Sequence, residues 1–397
     1  MTARPRRARP VEAVALAPSA ETPGREGCTV DGYGTHMRRA LELAARGWGR
    51  VSPNPMVGAV VLRGAAVVGE GWHEGPGTPH AEVMALSEAG EQARGATVVC
   101  TLEPCDHTGR TGPCTLALIG SGVARVVIGA GDPNPIVDGA GVTRLRDAGI
   151  EVVTGVLGDD AHRLNEAYER HAATARPFVT LKMASSLDGK TAATDGTSKW
   201  ITGGAARADV QRLRAGADAI VVGAGTAQKD DPSLTVRGPE WADARPPLRV
   251  VVDTAGRVAP EGHLFDGAAP TLVATTDLAA PERIDAWSEA GAEVLVLDRD
   301  VAGGVSLEGL VESLGKRDVQ GVLVEGGATL AWSLLRDGLV DKVVQYLAPL
   351  LVGGAAAQGV VAGGGFAPIS QALRLDIASV DRIGEDLRVE AYVHRDR

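Results

Sequence analysis

Aromatic side chains are scarce in this 397-residue chain, where six Trp, four Tyr and three Phe make up 3% of the total. Proteins that grip single-stranded nucleic acid stack bases on aromatic platforms, so that class is disfavoured. Positive charge is not in excess either. Forty Lys and Arg stand against 50 Asp and Glu, a formal net charge of −10. That is the wrong sign for neutralising a phosphate backbone or coating an anionic membrane. Only four cysteines occur, Cys28, Cys100, Cys105 and Cys114. They are too few and too clustered for a disulfide scaffold, and a metal or reactive-thiol role suits them better. A secretory leader is missing as well. Its apolar core needs about 7–15 residues, whereas Glu12 and Pro18 bracket only Ala13 to Ala17. Residues 1–32, with four arginines and no acid among the first ten, read as a disordered basic tail. One long uncharged stretch runs from Val343 to Leu373, but it holds Pro349, Pro368, three glutamines and six glycines. A spanning helix needs about 20 mostly apolar residues of good helix propensity. The stretch is therefore expected to be a buried strand and a glycine-rich loop, and the protein to be cytoplasmic, with neither membrane nor nucleic acid as partner.

What is present is an ordinary globular composition, 44% apolar and 23% charged. At roughly 100–200 residues per domain, the length suggests two domains. Met37, Ala40, Leu41, Ala44, Ala45 and Trp48 recur at helical spacing and predict an amphipathic helix over 35–47. Short apolar runs predict strands at 57–62, 97–102, 125–128 and 151–153, with helices at 80–89, 115–119 and up to Ala148 between them. A further helix over 159–175 should stop at Arg176-Pro177, which places a boundary between domains 33–176 and 177–397. The second series has expected strands at 178–184, 218–223, 248–253, 271–275, 293–297 and 319–324, and a helix at 328–336. Three more β-like runs fall within 340–395. They could build an interface between copies, so a homo-oligomer is open. Strands alternating with helices imply α/β units with mostly parallel sheets. No internal repeat relates the halves.

The most informative local pattern is His80-Ala81-Glu82, then Glu103-Pro104-Cys105, then Cys114. One imidazole and two thiolates supply three zinc ligands and leave a fourth position for water, whose pKa the metal lowers. Glu82, two residues past His80, can sit beside that metal without ligating it. There it can take the water's proton and deliver it to a ring nitrogen and a leaving amine. H-x-E followed by P-C and a second Cys is the zinc nucleobase-deaminase signature. A structural zinc site would want a fourth protein ligand, which His107 could supply. Eight residues separate Cys105 from Cys114, where nucleic-acid-editing deaminases have two. The insert brings His107 and Arg110, a pair suited to phosphate, next to the metal.

Together with Pro53-Asn54-Pro55-Met56-Val57-Gly58 and Asp132-Pro133-Asn134-Pro135, these motifs resemble the deaminase half of the bifunctional riboflavin-biosynthesis family RibD. Gly112 stands where that family has the first of two prolines before the second cysteine. The resemblance implies a cytidine-deaminase-like three-layer domain with Zn2+ on His80, Cys105 and Cys114, Glu82 as catalyst, and Asn54, His107 and Arg110 on the substrate. It also implies that substrate: the pyrimidine ribose phosphate 2,5-diamino-6-ribosylamino-4(3H)-pyrimidinone 5′-phosphate, deaminated with loss of ammonia.

The second half has no G-x-G-x-x-G after a strand. A strand ending at Val324-Glu325, then Gly326-Gly327 and a helix, could still present free N–H groups to a pyrophosphate. The runs Lys182 to Lys190, Ser198 to Thr202, Leu213 to Ala215, Gly223 to Thr226, Asp230 to Thr235 and Val324 to Gly327 are similar, in order, to the reductase domain of the same family. That similarity implies a dihydrofolate-reductase-like fold. It also implies NADPH near Ala184, Trp200, Thr226, Asp230, Thr254 and the turn Gly327, Ala328, Thr329, Leu330, Ala331, Trp332, Ser333. The substrate is implied near Ser198, Arg214, Leu234, Arg237 and Glu325, with Lys182 and Thr202 as further candidates. The implied product is 5-amino-6-(5-phospho-D-ribitylamino)uracil, with Glu325, Asp230 and Lys182 available for proton transfer. Two other readings share some motifs: a nucleotide deaminase with an accessory domain, and a paralogue serving a specialised pyrimidine-derived pathway.

Overall fold

The computed structural model describes residues 32–108, 112–134, 137 and 139–394. The expected tail, and Cys28 with it, lies outside them apart from Gly32. Two compact units divide the chain, Met1–Ala173 and Thr174–Arg397.

Five strands make the sheet of the first unit: β1 (Gly58–Arg63), β2 (Ala66–Trp72), β3 (Thr97–Leu102), β4 (Arg125–Ala130) and β5 (Glu151–Thr154). Their order is β2-β1-β3-β4-β5, with β1 antiparallel to both neighbours and β3, β4 and β5 parallel. Side chains alternate between the faces of a strand. Ala59, Val61, Val98, Cys100, Val126 and Ile128 accordingly pack with Ala85, Leu118 and Leu145 of the helices Ala81–Ala89, Cys114–Ser121 and Ala140–Asp147. Val60, Leu62, Val99 and Val127 turn the other way, onto Met37 and Leu41 of Gly34–Ala44 and Ala161 of Gly158–Leu164. Helix, sheet and helix thus form three layers.

Three details depart from the sequence reading. The first helix tightens to a 3-10 turn over Ala45–Gly47. The helix expected over 159–175 is two, Gly158–Leu164 and Glu166–Thr174. Asn165 breaks it because its buried carboxamide is committed elsewhere, accepting from Met56 N at 2.8 Å and donating to Met56 O at 2.9 Å. Strand β2 was not anticipated, since its centre, Gly69-Glu70-Gly71, has little strand propensity. Those glycines have a packing role. A Cβ at Gly69 would lie 2.2 Å from Ala85 O, and one at Gly71 2.4 Å from Ala81 O. Their bare backbone lets the helix that starts at Ala81 lie flat on the sheet.

The second unit has nine strands: β6 (Phe178–Ser186), β7 (Ala219–Gly223), β8 (Leu248–Val252), β9 (Thr271–Thr275), β10 (Glu293–Val296), β11 (Gly321–Val324), β12 (Lys342–Ala348), β13 (Leu375–Ile383) and β14 (Asp386–Val393). Their order is β10-β9-β8-β7-β11-β6-β12-β14-β13. Neighbours from β10 to β12 run parallel, and β14 and β13 close the edge antiparallel. Val179, Leu181, Val322 and Val324 pack on Leu310 and Leu314 of Leu307–Gly315 and on Leu330 and Leu334 of Ala328–Arg336. Ile220, Val222 and Leu323 face the opposite core. The uncharged stretch is β12 followed by an irregular, glycine-rich loop. Among the described residues no helix is long and apolar enough to cross a membrane.

Replacing Gly71 by Ala forces the helix off the sheet, an overpacking that costs about 1–3 kcal/mol. The urea midpoint of the first unit, followed by circular dichroism, should fall, and metal retention should weaken because His80 and Glu82 ride on that helix. An unchanged midpoint contradicts the packing argument.

Candidate active sites

His80 closes the loop after β2 and caps the helix Ala81–Ala89 in an extended conformation, φ −73° and ψ 160°. Its Nδ1 lies 3.1 Å from Cys114 Sγ and 3.5 Å from Cys105 Sγ. Cys114 opens the helix Cys114–Ser121 and donates its backbone N–H to Cys105 Sγ at 3.4 Å. The three ligand atoms fall within 4.8 Å of one another, the one such group among the described residues. Tetrahedral zinc, with bonds of about 2.0 Å to nitrogen and 2.3 Å to sulfur, separates its ligands by roughly 3.5–3.8 Å, so the donor set fits. His107 is exposed and stands outside the cluster, so it does not complete a four-ligand structural site. The Cys114 thiol donates to Cys105 and, against the cost of burial, helps pull the Cys105 thiol down to about 4. The same bond, then burial, pushes Cys114 up. A dication favours both thiolates.

Glu82 is only 3% exposed. Burial pushes its carboxyl above the usual carboxylate range, and the Cys114 thiol is its hydrogen-bond partner. Asn54 Nδ2 donates to His73 Nε2 at 2.8 Å, and with its proton on Nδ1 His73 donates to Pro79 O at 3.3 Å. Burial lowers the His73 pKa and keeps the ring neutral. The ring stands edge-on to His80, centroids 5.5 Å apart. His73 was not singled out from sequence, because a lone histidine after a strand carries no spacing signal. Buried Asp132 accepts from Asn134 N and Tyr168 Oη, both at 2.9 Å. Glu103 accepts from Val142 N at 3.0 Å and so pins the start of the next helix. Arg110 lies outside the described residues.

The second cluster gathers at the carboxyl ends of parallel strands, where open α/β sheets bind ligands. A cleft of about 660 Å³ opens there. Lys182 and Ala184 reach it from β6 and Ser198 from the loop beyond. Thr226 and Asp230 come from the helix Ala224–Asp230 after β7, and Thr254 follows β8. Glu325, Gly327, Ala328, Thr329, Leu330 and Ser333 arrive from β11 and its helix. Gly327 caps that helix in an extended conformation, and a Cβ at Gly225 would meet nothing within 4 Å. Bare backbone at two adjacent strand ends, with a helix dipole behind it, fits the pyrophosphate of a dinucleotide.

Charge is concentrated on one wall. Arg214 grips Glu325 with two bonds, Nε to Oε1 at 2.6 Å and Nη2 to Oε2 at 3.1 Å, and also donates to Thr235 O at 3.1 Å. Lys182 Nζ lies 4.0 Å from Glu325 Oε2. Burial resists ionisation of Glu325, but Arg214 and Lys182 outweigh it and hold the carboxyl below its usual range. Burial lowers the Lys182 pKa, with Glu325 opposing.

The remaining expected residues do not line the cleft. Arg214 acts behind Glu325. Leu234 is buried in the core at a φ of +47°, and Ala331 is core as well. Trp332 stacks edge-on to Phe366 at 5.1 Å. Trp200 is 71% exposed beneath the Arg207 guanidinium, which donates to Thr202 O at 2.7 Å. Arg237 is exposed.

Residues 177–389 match the RibD C-terminal domain, and residues 33–130 match the cytidine and deoxycytidylate deaminase zinc-binding region. The riboflavin biosynthesis protein RibD of Bacillus amyloliquefaciens is 42% identical over 357 residues, covering 90% of this chain and 95% of that protein. Its counterpart from Escherichia coli K12 is 41% identical over 362 residues, covering 89% and 97%. The chain belongs to the RibD family. The solved structure of Acinetobacter baumannii RibD superposes with a TM-score of 0.82 at 38% identity, covering 92% of this chain and all of that one. A Thermotoga maritima diaminohydroxyphosphoribosylaminopyrimidine deaminase/5-amino-6-(5-phosphoribosylamino)uracil reductase gives 0.80 at 37%, covering 92% and 99%. This RibD-family chain is a bifunctional deaminase and reductase of riboflavin biosynthesis acting on small pyrimidine substrates. Its deaminase unit has a cytidine-deaminase fold and uses zinc, and its reductase unit has a dihydrofolate-reductase-like fold and uses a nicotinamide cofactor. Homology across both units sets aside the nucleotide deaminase with an accessory domain.

Cys105→Ser should lower zinc content, read by elemental analysis, at least tenfold. Deamination should be lost with it, while reduction of supplied intermediate continues. Retained zinc contradicts the ligand assignment.

Proposed function

We propose that the first unit hydrolyses 2,5-diamino-6-ribosylamino-4(3H)-pyrimidinone 5′-phosphate to the 5-aminouracil compound and ammonia. The second unit then reduces the ribosyl chain to ribityl with NADPH. What carries the reading is one arrangement: a buried, non-ligating Glu82 beside a three-ligand cluster, on a chain that also sets Lys182 against Glu325 in a glycine-walled cleft.

His80, Cys105 and Cys114 would hold the zinc, whose chemistry there would be to activate a water. Glu82 would take the water's first proton and pass it to the ring nitrogen, then take the second from the hydroxyl added to the ring carbon and pass it to the amine, which departs as ammonia. Asn54, oriented by His73, holds the pyrimidine edge, and His107 and Arg110 take the phosphate. In the second unit the glycine turn and the cleft residues would hold the cofactor, whose chemistry there would be hydride donation to C1′ of the ring-opened chain. Lys182 is the proton donor supported best, because Glu325 is already held as an anion by Arg214 while Lys182 faces the cleft. Ser198, on the cleft wall, would meet the substrate. Exposed Leu375, Ile377 and Val380 on the edge strand β13 support self-association. Rescue of a riboflavin-requiring strain tests the whole reading and separates it from a specialised paralogue.

Glu82→Gln should keep its zinc and lose deaminase turnover by about 10³-fold, with reduction intact. Normal turnover by that variant sinks the proton-shuttle role. Reductase kcat should fall as pH rises through the Lys182 pKa, which sits below the usual ~10.4 of lysine. Glu325→Gln removes the anion that favours the ammonium, so the residual activity should lose its alkaline limb at lower pH than wild type. A shift to higher pH contradicts Lys182 as donor.

A further inference from the structure

We propose that Arg257 reads the 2′-phosphate of the cofactor and thereby selects NADPH over NADH. The inference rests on the NADPH reading above and assigns its specificity to one residue.

Three cations line the reductase cleft among the described residues: Lys182, Lys229 and Arg257. Their places differ. Lys182 stands on β6, 4.0 Å from Glu325, where the chemistry is placed. Lys229 is spent on the neighbouring loop, its Nζ donating to Gly196 O at 2.9 Å. Arg257 follows β8 at the other end. Between β6 and β8 lie β11 and β7, whose ends carry the glycine turns. Strands are spaced about 4.8 Å apart, so β6 and β8 are roughly 14 Å apart. A dinucleotide with its nicotinamide at Lys182 and its pyrophosphate on Gly326-Gly327 therefore brings its adenosine half to Thr254 and Arg257.

Arg257 is suited to an incoming dianion. Its side chain is 60% exposed, and its ion pair with Asp253 is loose, 3.8 Å from Nε to Oδ1. Asp253 itself is fully buried and committed to the turn, accepting from Val258 N at 2.7 Å. That anchor aims the guanidinium without neutralising it by close contact. Asp300, an acid on the same wall, is held by Arg336 at 2.8 Å and so opposes a phosphate weakly. Arginine presents a planar fork that pairs with phosphate through two charge-assisted bonds. The 2′-hydroxyl of NADH offers no such partner.

Calorimetry with the full-length protein tests this without turnover, using 2′,5′-ADP and 5′-AMP as probes. Wild type should bind 2′,5′-ADP at least tenfold more tightly than 5′-AMP. Arg257→Ala should bring the two affinities together by weakening 2′,5′-ADP alone, and Arg257→Lys should keep part of the preference. Lys229→Ala should keep all of it. Unchanged 5′-AMP binding shows that Arg257→Ala is folded. A preference that survives Arg257→Ala, or one that disappears in Lys229→Ala, overturns the assignment. A wild type that binds both probes equally overturns the NADPH reading itself.

Discussion

Three ligand atoms can share one metal only if the chain segments that carry them are held within a few ångströms of one another, and most of the first unit serves that constraint. Two of the ligands sit at helix starts, His80 before Ala81–Ala89 and Cys114 at the head of Cys114–Ser121. Gly69 and Gly71 set the height of the first helix above the sheet. The third ligand, Cys105, leaves the end of β3 in a loop fastened on several sides. Glu103 takes Val142 N, and Asp106 takes the Thr115 hydroxyl and lies 3.3 Å from Arg144. Parallel pairing of β3 with β4 places that loop beside Asp132 and Asn134. The dipole of the helix that Cys114 opens favours its thiolate, while the Cys105 contact and burial push the thiol the other way, and the metal's charge tips that balance.

The second unit solves a different problem, that of keeping a buried carboxylate charged. Isolated burial of Glu325 would protonate it. Arg214 prevents this with a two-bond grip from the helix Gly204–Ala215. Burying such a pair is no great source of stability, since desolvation offsets most of the attraction. Its worth is positional. A fixed anion 4.0 Å from Lys182 orients that amine toward the cleft, and the amine's own desolvation makes its proton easier to give up.

Much of this was legible in the residues. H-x-E with two later cysteines identified the metal cluster because ligand chemistry is local and spacing-dependent. Strand positions followed from apolar runs such as Val57–Leu62 and Thr97–Leu102. What escaped was set by tertiary contacts. β2 is a strand because β1 pairs with it, despite its glycines. Asn165 interrupts a helix because Met56, more than a hundred residues earlier, offers its backbone. His73 carries no motif and gains meaning only from Asn54 and His80 across space. In the reductase unit the short motifs located the cleft, yet did not separate residues that line it, such as Asp230, from residues that face away, such as Leu234 and Trp332. A helix or turn presents only some of its side chains to any one surface, and a contiguous motif does not say which.

That one chain carries out two ordered reactions, each at its own constellation of residues, is what everything above depends on. Its most direct test is to mix zinc-loaded protein with the diaminopyrimidinone ribose phosphate, first without and then with NADPH, and to measure ammonia and NADPH together. One equivalent of ammonia should appear before any cofactor is added, followed by one equivalent of NADPH oxidised. NADPH oxidation without prior ammonia release, or no ammonia at all, would contradict it.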